Sequence, residues 1–493
     1  MTSPDTRECA VLSVPPGVSR TEPHTRRGTT ARGVGIAALV ALLTSAPASA
    51  ITPPKIDPTV PPPSGAPGPV AAMEQRADCA SSGLLPGSDL STATGGQRML
   101  DLPTAWQFSR GEGQTVAVID TGVRPGPRLP AVDPGGDYLG TTDGLTDCDG
   151  HGTLVAGIIA GQPAPDGQDG FTGVAPAARL LSLRTASATI SPRLAGDDPR
   201  TTRVVTDITA LSRAIVHAAD LGARVITIST TTCLPADRNV DQTALGAALR
   251  YAAVEKDVLI VAAAGDSGQT GSVGGGGEAC ESNPLTDLSR PHDPRNWTGV
   301  TSLSVPSWWH PYVLSVASLS PTGQPSAFTM AGPWVGVAAP GEGIVSVSNR
   351  DDGGLANGLP GNQGRLVPLT GTGYAAGYVA GVAALVRSRY PELNAMQVAH
   401  RIVSTAHNGA RAPSDVVGAG TIDPVAALTW ELPPTADPAN PPSKKLSPPP
   451  APQPEDPAPR IVAFAGTALL AGLVAAVAVG AAAAARRRKE NQL

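Results

Sequence analysis

The chain has 493 residues, 41% of them hydrophobic, and a formal net charge of −5. That length and apolar content suffice to bury a substantial core, and the near-balanced charge excludes the basic footprint that nucleic-acid binding requires. The 56 glycines and 51 prolines gather in separable stretches, which marks linkers within an otherwise globular chain.

Residues 33–50 (GVGIAALVALLTSAPASA) form a short apolar run after Arg26 and Arg27 and end in Ala48-Ser49-Ala50. A basic flank, an apolar core and an A-x-A close read as a secretory signal, so residues 1–50 are expected to be a leader with signal peptide, cleaved after Ala50. The residues ahead of it make a long leader, as expected if translation starts further in, and Cys9 then plays no part. Residues 51–77 follow as a proline-rich extension, with 52–69 expected to be extended and mobile. One domain should occupy residues 78–432.

Inside that domain TVAVID (Thr115–Asp120), RLLSLR (Arg179–Arg184), ARVITIST (residues 223–230) and VLIVAAAG (residues 258–265) read as short buried strands. Between them HGTLVAGIIAG from His151, ITALSRAIVHAADLG from Ile208 and QTALGAALRYAAVEKD from Gln242 carry helical spacing. Continuous apolar strands alternating with helices predict an α/β fold whose mostly parallel sheet is covered on both faces. In such sheets functional side chains collect at the carboxyl ends of the strands.

Residues 433–460 (LPPTADPANPPSKKLSPPPAPQPEDPAP lies across them) predict a semi-rigid spacer of polyproline type. Residues 461–485 then run without a charge, and as a helix would be about 37 Å long, enough to cross a hydrocarbon core of roughly 30 Å. Arg486, Arg487, Arg488 and Lys489 follow directly, so residues 486–493 are expected to be a cytoplasmic tail and the globular domain to face outward from the cell membrane.

Four cysteines remain once the leader is removed: Cys79, Cys148, Cys233 and Cys280. An even count in an exported chain favours two disulfides. Spacing alone does not choose among the three pairings; Cys79 with Cys148 and Cys233 with Cys280 is favoured because each then ties loops of neighbouring segments.

Asp120 closes the first strand and precedes Thr121-Gly122; alone it reads as turn chemistry. His151 opens a helix of small apolar residues. Together they supply a carboxylate to orient an imidazole that can act as general base. The blocks VAVIDTGV, DGHGTLVAGIIAG and GTGYAAGYVAGVAALV resemble the three catalytic blocks of subtilisin-like serine proteases (peptidase S8), in the order Asp, His, Ser. LPTAW, SRGEGQTVAVIDTGV, LVRSRYPELNAMQVAHRIVSTAH and GAGTIDPVAALT, with the signal, spacer and single apolar helix, further resemble the mycosins, membrane-anchored subtilases associated with type VII secretion.

Two positions depart from that pattern. Where the family reads Gly-Thr-Ser, this chain reads Gly371-Thr372-Gly373, so the nucleophile position is Gly373, and Thr372 is offset by one residue. In a protease of this kind loss of the serine costs about a millionfold in turnover, roughly 8 kcal/mol of barrier. The family's oxyanion Asn is replaced by Asp266, and losing such a donor typically costs about a hundredfold to a thousandfold.

The resemblance therefore implies a pseudoprotease that stabilises or caps a type VII secretion membrane complex, with components of that complex as partners. A functioning serine endopeptidase acting on secreted proteins, or a non-cleaving module that holds a polypeptide by strand addition, are the rival readings. Asp147 with Asp149, and Asp197 with Asp198, are expected to be solvated loop carboxylates in preference to calcium ligands. No zinc spacing or phosphate loop occurs, so no cofactor is expected. Trp308 and Trp309 beside His310-Pro311 are expected to be at least half-buried, the alternative being an exposed contact patch.

Overall fold

The computed structural model describes residues 51–432, apart from 166, 194–197, 269–278, 286–288, 291, 311, 362–363 and 410–413, together with residues 458–490. The expected leader and signal of residues 1–50, the spacer residues 433–457, Asp197 and Pro311 lie outside the described residues. The chain divides into two units, Met1–Leu432 and Pro433–Leu493.

The first unit is built on β1 (Thr115–Asp120), β2 (Val132–Asp137), α1 (His151–Ala160), β3 (Arg179–Arg184), α2 (Pro199–Asp220), β4 (Val225–Ile228), α3 (Thr243–Arg250), β5 (Leu259–Ala263), β6 (Val313–Leu319), β7 (Val335–Pro340), α4 (Thr372–Arg389), α5 (Ala395–Thr405), β8 (His407–Asn408) and β9 (Gly420–Thr421). The strands make one nine-stranded sheet in the order β8-β9-β7-β6-β5-β4-β1-β3-β2. Every neighbouring pair is parallel except β8 with β9 at the edge.

Side chains alternate across a strand, and in TVAVID both sets are apolar because both faces are covered. Val116 and Val118, with Val225, Val261 and Ala263, join a core that includes α1, α4 and α5. Ala117 and Ile119, with Ile226, Ile228, Ile260 and Ala262, join a second core with α2 and α3. These three layers, with helices on both faces of a mostly parallel sheet, are the architecture that the alternation of apolar strands and helices predicts.

Helix α4 is buried almost throughout, and its glycines set how closely neighbours approach. A Cβ on Gly381 would fall 2.5 Å from the Cβ of Val174, closer than any real contact. Helix α2 begins at Pro199, nine residues before the apolar periodicity does, because Asp198 accepts from the backbone N–H groups of Arg200 and Thr201 and Pro199 takes the first turn. Asp198 is thus a helix cap.

The expectation that residues 52–69 are extended and mobile is corrected towards their end, where the chain is bonded to the domain. Gly68 N–H donates to Asp137 O, the Tyr138 hydroxyl donates to Gly65 O, and Met73–Gln75 pairs antiparallel with Ile190–Pro192. The proline-rich composition gives extension, but these bonds pin it to the surface.

The second unit contains α6 (Ala458–Glu490), whose apolar stretch Phe464–Ala484 has 21 residues, about 31 Å of helix. That matches a hydrocarbon core in length and composition, making α6 a candidate membrane span.

Candidate functional site

The carboxyl ends of β1 and its neighbour β4 place Asp120 and Ser229 side by side, and β5 leads through Gly265 to Asp266. The amino ends of α1 and α4 enter the same region carrying His151 and Thr372-Gly373. The sheet's strand order thus gathers residues more than two hundred positions apart in sequence.

His151 Nδ1 lies 2.9 Å from both oxygens of Asp120. Asp120 also accepts from Thr121 N–H at 2.6 Å and from the Ser229 hydroxyl. Asp120 is fully buried and His151 is 5% exposed. Burial pushes the Asp120 carboxyl up, but the charge and hydrogen bond of His151, with Ser229 and Thr121, outweigh it and hold the group below its ordinary value. Burial likewise works against a charged imidazole, and Asp120, aided by Asp147 and Asp266, reverses that and raises His151. Each partner thus favours the charged form of the other. The Tyr374 ring packs on the imidazole with centroids 4.8 Å apart and helps fix its plane.

A Cβ on Gly373 would stand 3.1 Å from His151 Cε1 and 3.2 Å from Nε2. Position 373 therefore faces the imidazole edge opposite Asp120, where a nucleophile's hydroxyl would hand over its proton. The same Cβ would lie only 2.4 Å from the Ser229 carbonyl oxygen, a separation real structures do not show. Backbone occupies the volume that a side chain at 373 would need.

Asp266 has a specific local task. Its Oδ1 accepts from the Thr372 N–H at 2.9 Å and the Thr372 hydroxyl at 2.7 Å, while Gly371, the residue before α4, makes no side-chain cap. Asp266 therefore caps α4 from another element, satisfying a free N–H and setting negative charge at the helix's positive end. Burial pushes its carboxyl up to about 6 against the pull of the Thr372 bonds and of His151. Thr372, whose hydroxyl is committed to Asp266, is not a replacement nucleophile.

The carboxylates weighed for calcium are engaged within the protein. Asp147 accepts from the hydroxyls of Thr121 and Thr153 and the N–H groups of Asp149, Gly150 and Thr153, and so shapes the loop into α1. Asp149 accepts from Ser187, Ala188 and Thr189. Among the described residues no group of three or more His, Cys, Asp or Glu side chains converges as a metal site.

Two disulfides brace the surrounding loops. Cys79 is bonded to Cys148, three residues before His151, and Cys233 to Cys280, whose sulfur lies near Gly265. Trp309 is buried and Trp308 half-buried, and both indole N–H groups donate to Gln242 Oε1 at 2.9 Å, so they form no exposed patch. Sequence reasoning does not single out Ser229. Its one signal is its place directly after a strand pairing with β1, at the same carboxyl edge.

The subtilase family model matches residues 111–420. Mycosin-3 of Mycobacterium tuberculosis (strain ATCC 25618 / H37Rv) is 64% identical over 446 residues, covering 90% of this chain and 95% of that protein. Mycosin-1 of Mycolicibacterium smegmatis is 45% identical, covering 92% and 97%. A solved structure described as MycP3 protease from the type VII (ESX-3) secretion system is 62% identical, with a TM-score of 0.73 over 77% of this chain and 100% of that one. A chain in the structure of an intact ESX-5 inner membrane complex is 45% identical, with a TM-score of 0.75 over 87% of this chain and 100% of its own.

Proposed function

Because the chain belongs to the subtilase family, and within it to the mycosins, we propose that it is a pseudoprotease that holds together the inner membrane complex of a type VII secretion system. The observation that carries this reading is Gly373: the position facing His151 has no side-chain atom, and the Ser229 carbonyl fills the adjacent volume. The assembly role is supported by relatives solved within the ESX-5 inner membrane complex.

In this reading Asp120 and His151 form a structural pair, Asp266 replaces an oxyanion donor with a helix cap, and residues 78–432 act as a docking body. The signal ending at Ala50 directs export of that body and is then removed, α6 anchors it, and the basic residues after α6 remain in the cytoplasm. The proline-rich residues 433–460 serve as a semi-rigid spacer between that body and α6.

The test is genetic. A strain lacking the protein is expected to lose secretion, and a copy carrying Asp120→Ala with His151→Ala, shown by immunoblot to accumulate normally, is expected to restore it. Failure of that rescue at normal protein level would refute a purely holding role. Purified full-length protein should also resist a fluorophosphonate probe, since position 373 offers His151 no hydroxyl; labelling in this cleft would establish the endopeptidase reading instead.

A further inference from the structure

The holding role requires a surface, and the fold offers one at the opposite end of the sheet from Asp120 and His151. The amino ends of β5, β6 and β7 (Leu259, Val313, Val335), together with α5, enclose an open cavity of about 440 Å³. That volume falls within the roughly 300–1,000 Å³ range of sites that take up a ligand or a bulky side chain. Its walls are mainly apolar, including Ala399 and Val403 of α5, and Met396 at its edge is 49% exposed. A flexible, polarisable methionine at the lip of an apolar cavity suits an adaptable contact.

Charge narrows the choice of occupant. The ionisable side chains with a basic nitrogen lining the cavity are Arg295, His310 and His400, and among the described residues no carboxylate lines it. Arg295 is paired with Asp415 at 2.7 Å, which fixes its guanidinium and balances its charge, so what it offers together with the two imidazoles is hydrogen-bond donors to an acceptor. His310 and His400 sit at exposed positions on the rim, where each imidazole can donate a hydrogen bond, and burial with the nearby charge of Arg295 holds His310 below its ordinary value. An apolar insert with an adjacent carboxylate would be complemented on both counts.

We infer that this cavity is the docking site for a partner polypeptide of the membrane complex, which inserts an apolar side chain and places a neighbouring Asp or Glu against the Arg295, His310 and His400 rim. The inference rests on the proposed holding role and names its contact. A partner seated there lies at the far end of the parallel strands from the cleft and does not touch the Asp120–His151 pair.

The experiment uses the full-length chain in its own membrane, with a photo-crosslinking p-benzoylphenylalanine in place of Met396 and the crosslinked peptide sequenced by mass spectrometry. The expected product joins residue 396 to an extracytoplasmic segment of a complex component in which an apolar residue adjoins Asp or Glu. His400→Glu, a change at an exposed position, should lower the crosslink yield about fivefold or more by like-charge repulsion, whereas His400→Lys should preserve it. Ala399→Trp, filling the cavity, should abolish it while the thermal transition is retained. Crosslinks only to lipid, to a second copy of this chain, or to a segment without a carboxylate would overturn the inference, as would equal yields from the Glu and Lys variants. If His400→Glu restores secretion fully while the Asp120→Ala, His151→Ala copy also does, the holding role stands and this surface is not its contact.

Discussion

Replacing Gly373 by serine supplies the missing nucleophile in name, and the structure predicts that it fails. The new Cβ would meet the Ser229 carbonyl oxygen at 2.4 Å, so one of them must retreat by about 0.8 Å to reach even a tight contact. The obstacle is main chain, and Ser229 also holds Asp120 through its hydroxyl. A shift at Ser229 therefore disturbs the carboxylate that orients His151. Forcing atoms into a filled site costs typically about 1–3 kcal/mol, and escape from a helical glycine returns at most about 1 kcal/mol. The net expectation for Gly373→Ser is a loss of about 1–2 kcal/mol, with Gly373→Ala showing a similar loss because the Cβ is the clashing atom. Urea melts of the purified protein read the stability, and hydrolysis of fluorogenic peptides with fluorophosphonate labelling reads the chemistry. Neither Gly373→Ser nor its combination with Asp266→Asn should cleave or label above the parent. A Gly373→Ser protein as stable as the parent and labelled at the introduced hydroxyl would refute the contracted-site argument.

Asp266 gives a pH signature. Its folded pKa of about 6 exceeds the ordinary 3.8, so the folded state holds the extra proton between those values and stability falls as pH rises from about 4 to about 6. That difference corresponds to about 3 kcal/mol as an order of magnitude, and pH-dependent urea melts should lose the slope in Asp266→Asn. Asp120→Ala leaves the buried His151 Nδ1 without its partner, and should cost about 1–3 kcal/mol. Adding His151→Ala should recover part of that loss, a coupling measured by a double-mutant cycle in the same melts. Opening the Cys79–Cys148 link by paired serine substitution frees a loop of sequence separation 69, and calorimetry should register a loss of about 2–4 kcal/mol.

The fold was legible where burial leaves a local trace. TVAVID and RLLSLR form strands with the bounds their apolar runs suggest, because a parallel strand covered on both faces is apolar at nearly every step. Strand β2, VDPGGD, left no such trace: Pro134, Gly135 and Gly136 argue for a turn, and its pairing with β3 alone makes it a strand. The polar start of α2 was hidden for the same reason, since PRTTR has no apolar period and its cap lies in the loop before it. At the site, Asp120, His151 and Gly373 could be placed through motif order. The Ser229 hydroxyl and the bonds from Asp266 to Thr372 link residues 109 and 106 positions apart, and nothing in either local sequence records them. Sequence places Asp266 at the degenerate oxyanion position, and the structure adds its partner, the helix beginning at Thr372, which it caps.

That partner changes how the preserved residues should be weighed. Asp120 receives Thr121, Ser229 and His151; His151 is held between Asp120 and the Tyr374 ring; Asp266 closes the amino end of α4. Each therefore has a structural use that survives without turnover, and removing any one would leave a buried polar group without its partner. Retention of the Asp–His pair consequently says little about catalysis. In the proposed reading Gly373 is the residue that discriminates, because a serine there would need room and a glycine lets the Ser229 backbone close on the imidazole side of α4. A site maintained for cutting must keep that volume open to a substrate carbonyl, whereas a site maintained for holding gains packing by filling it.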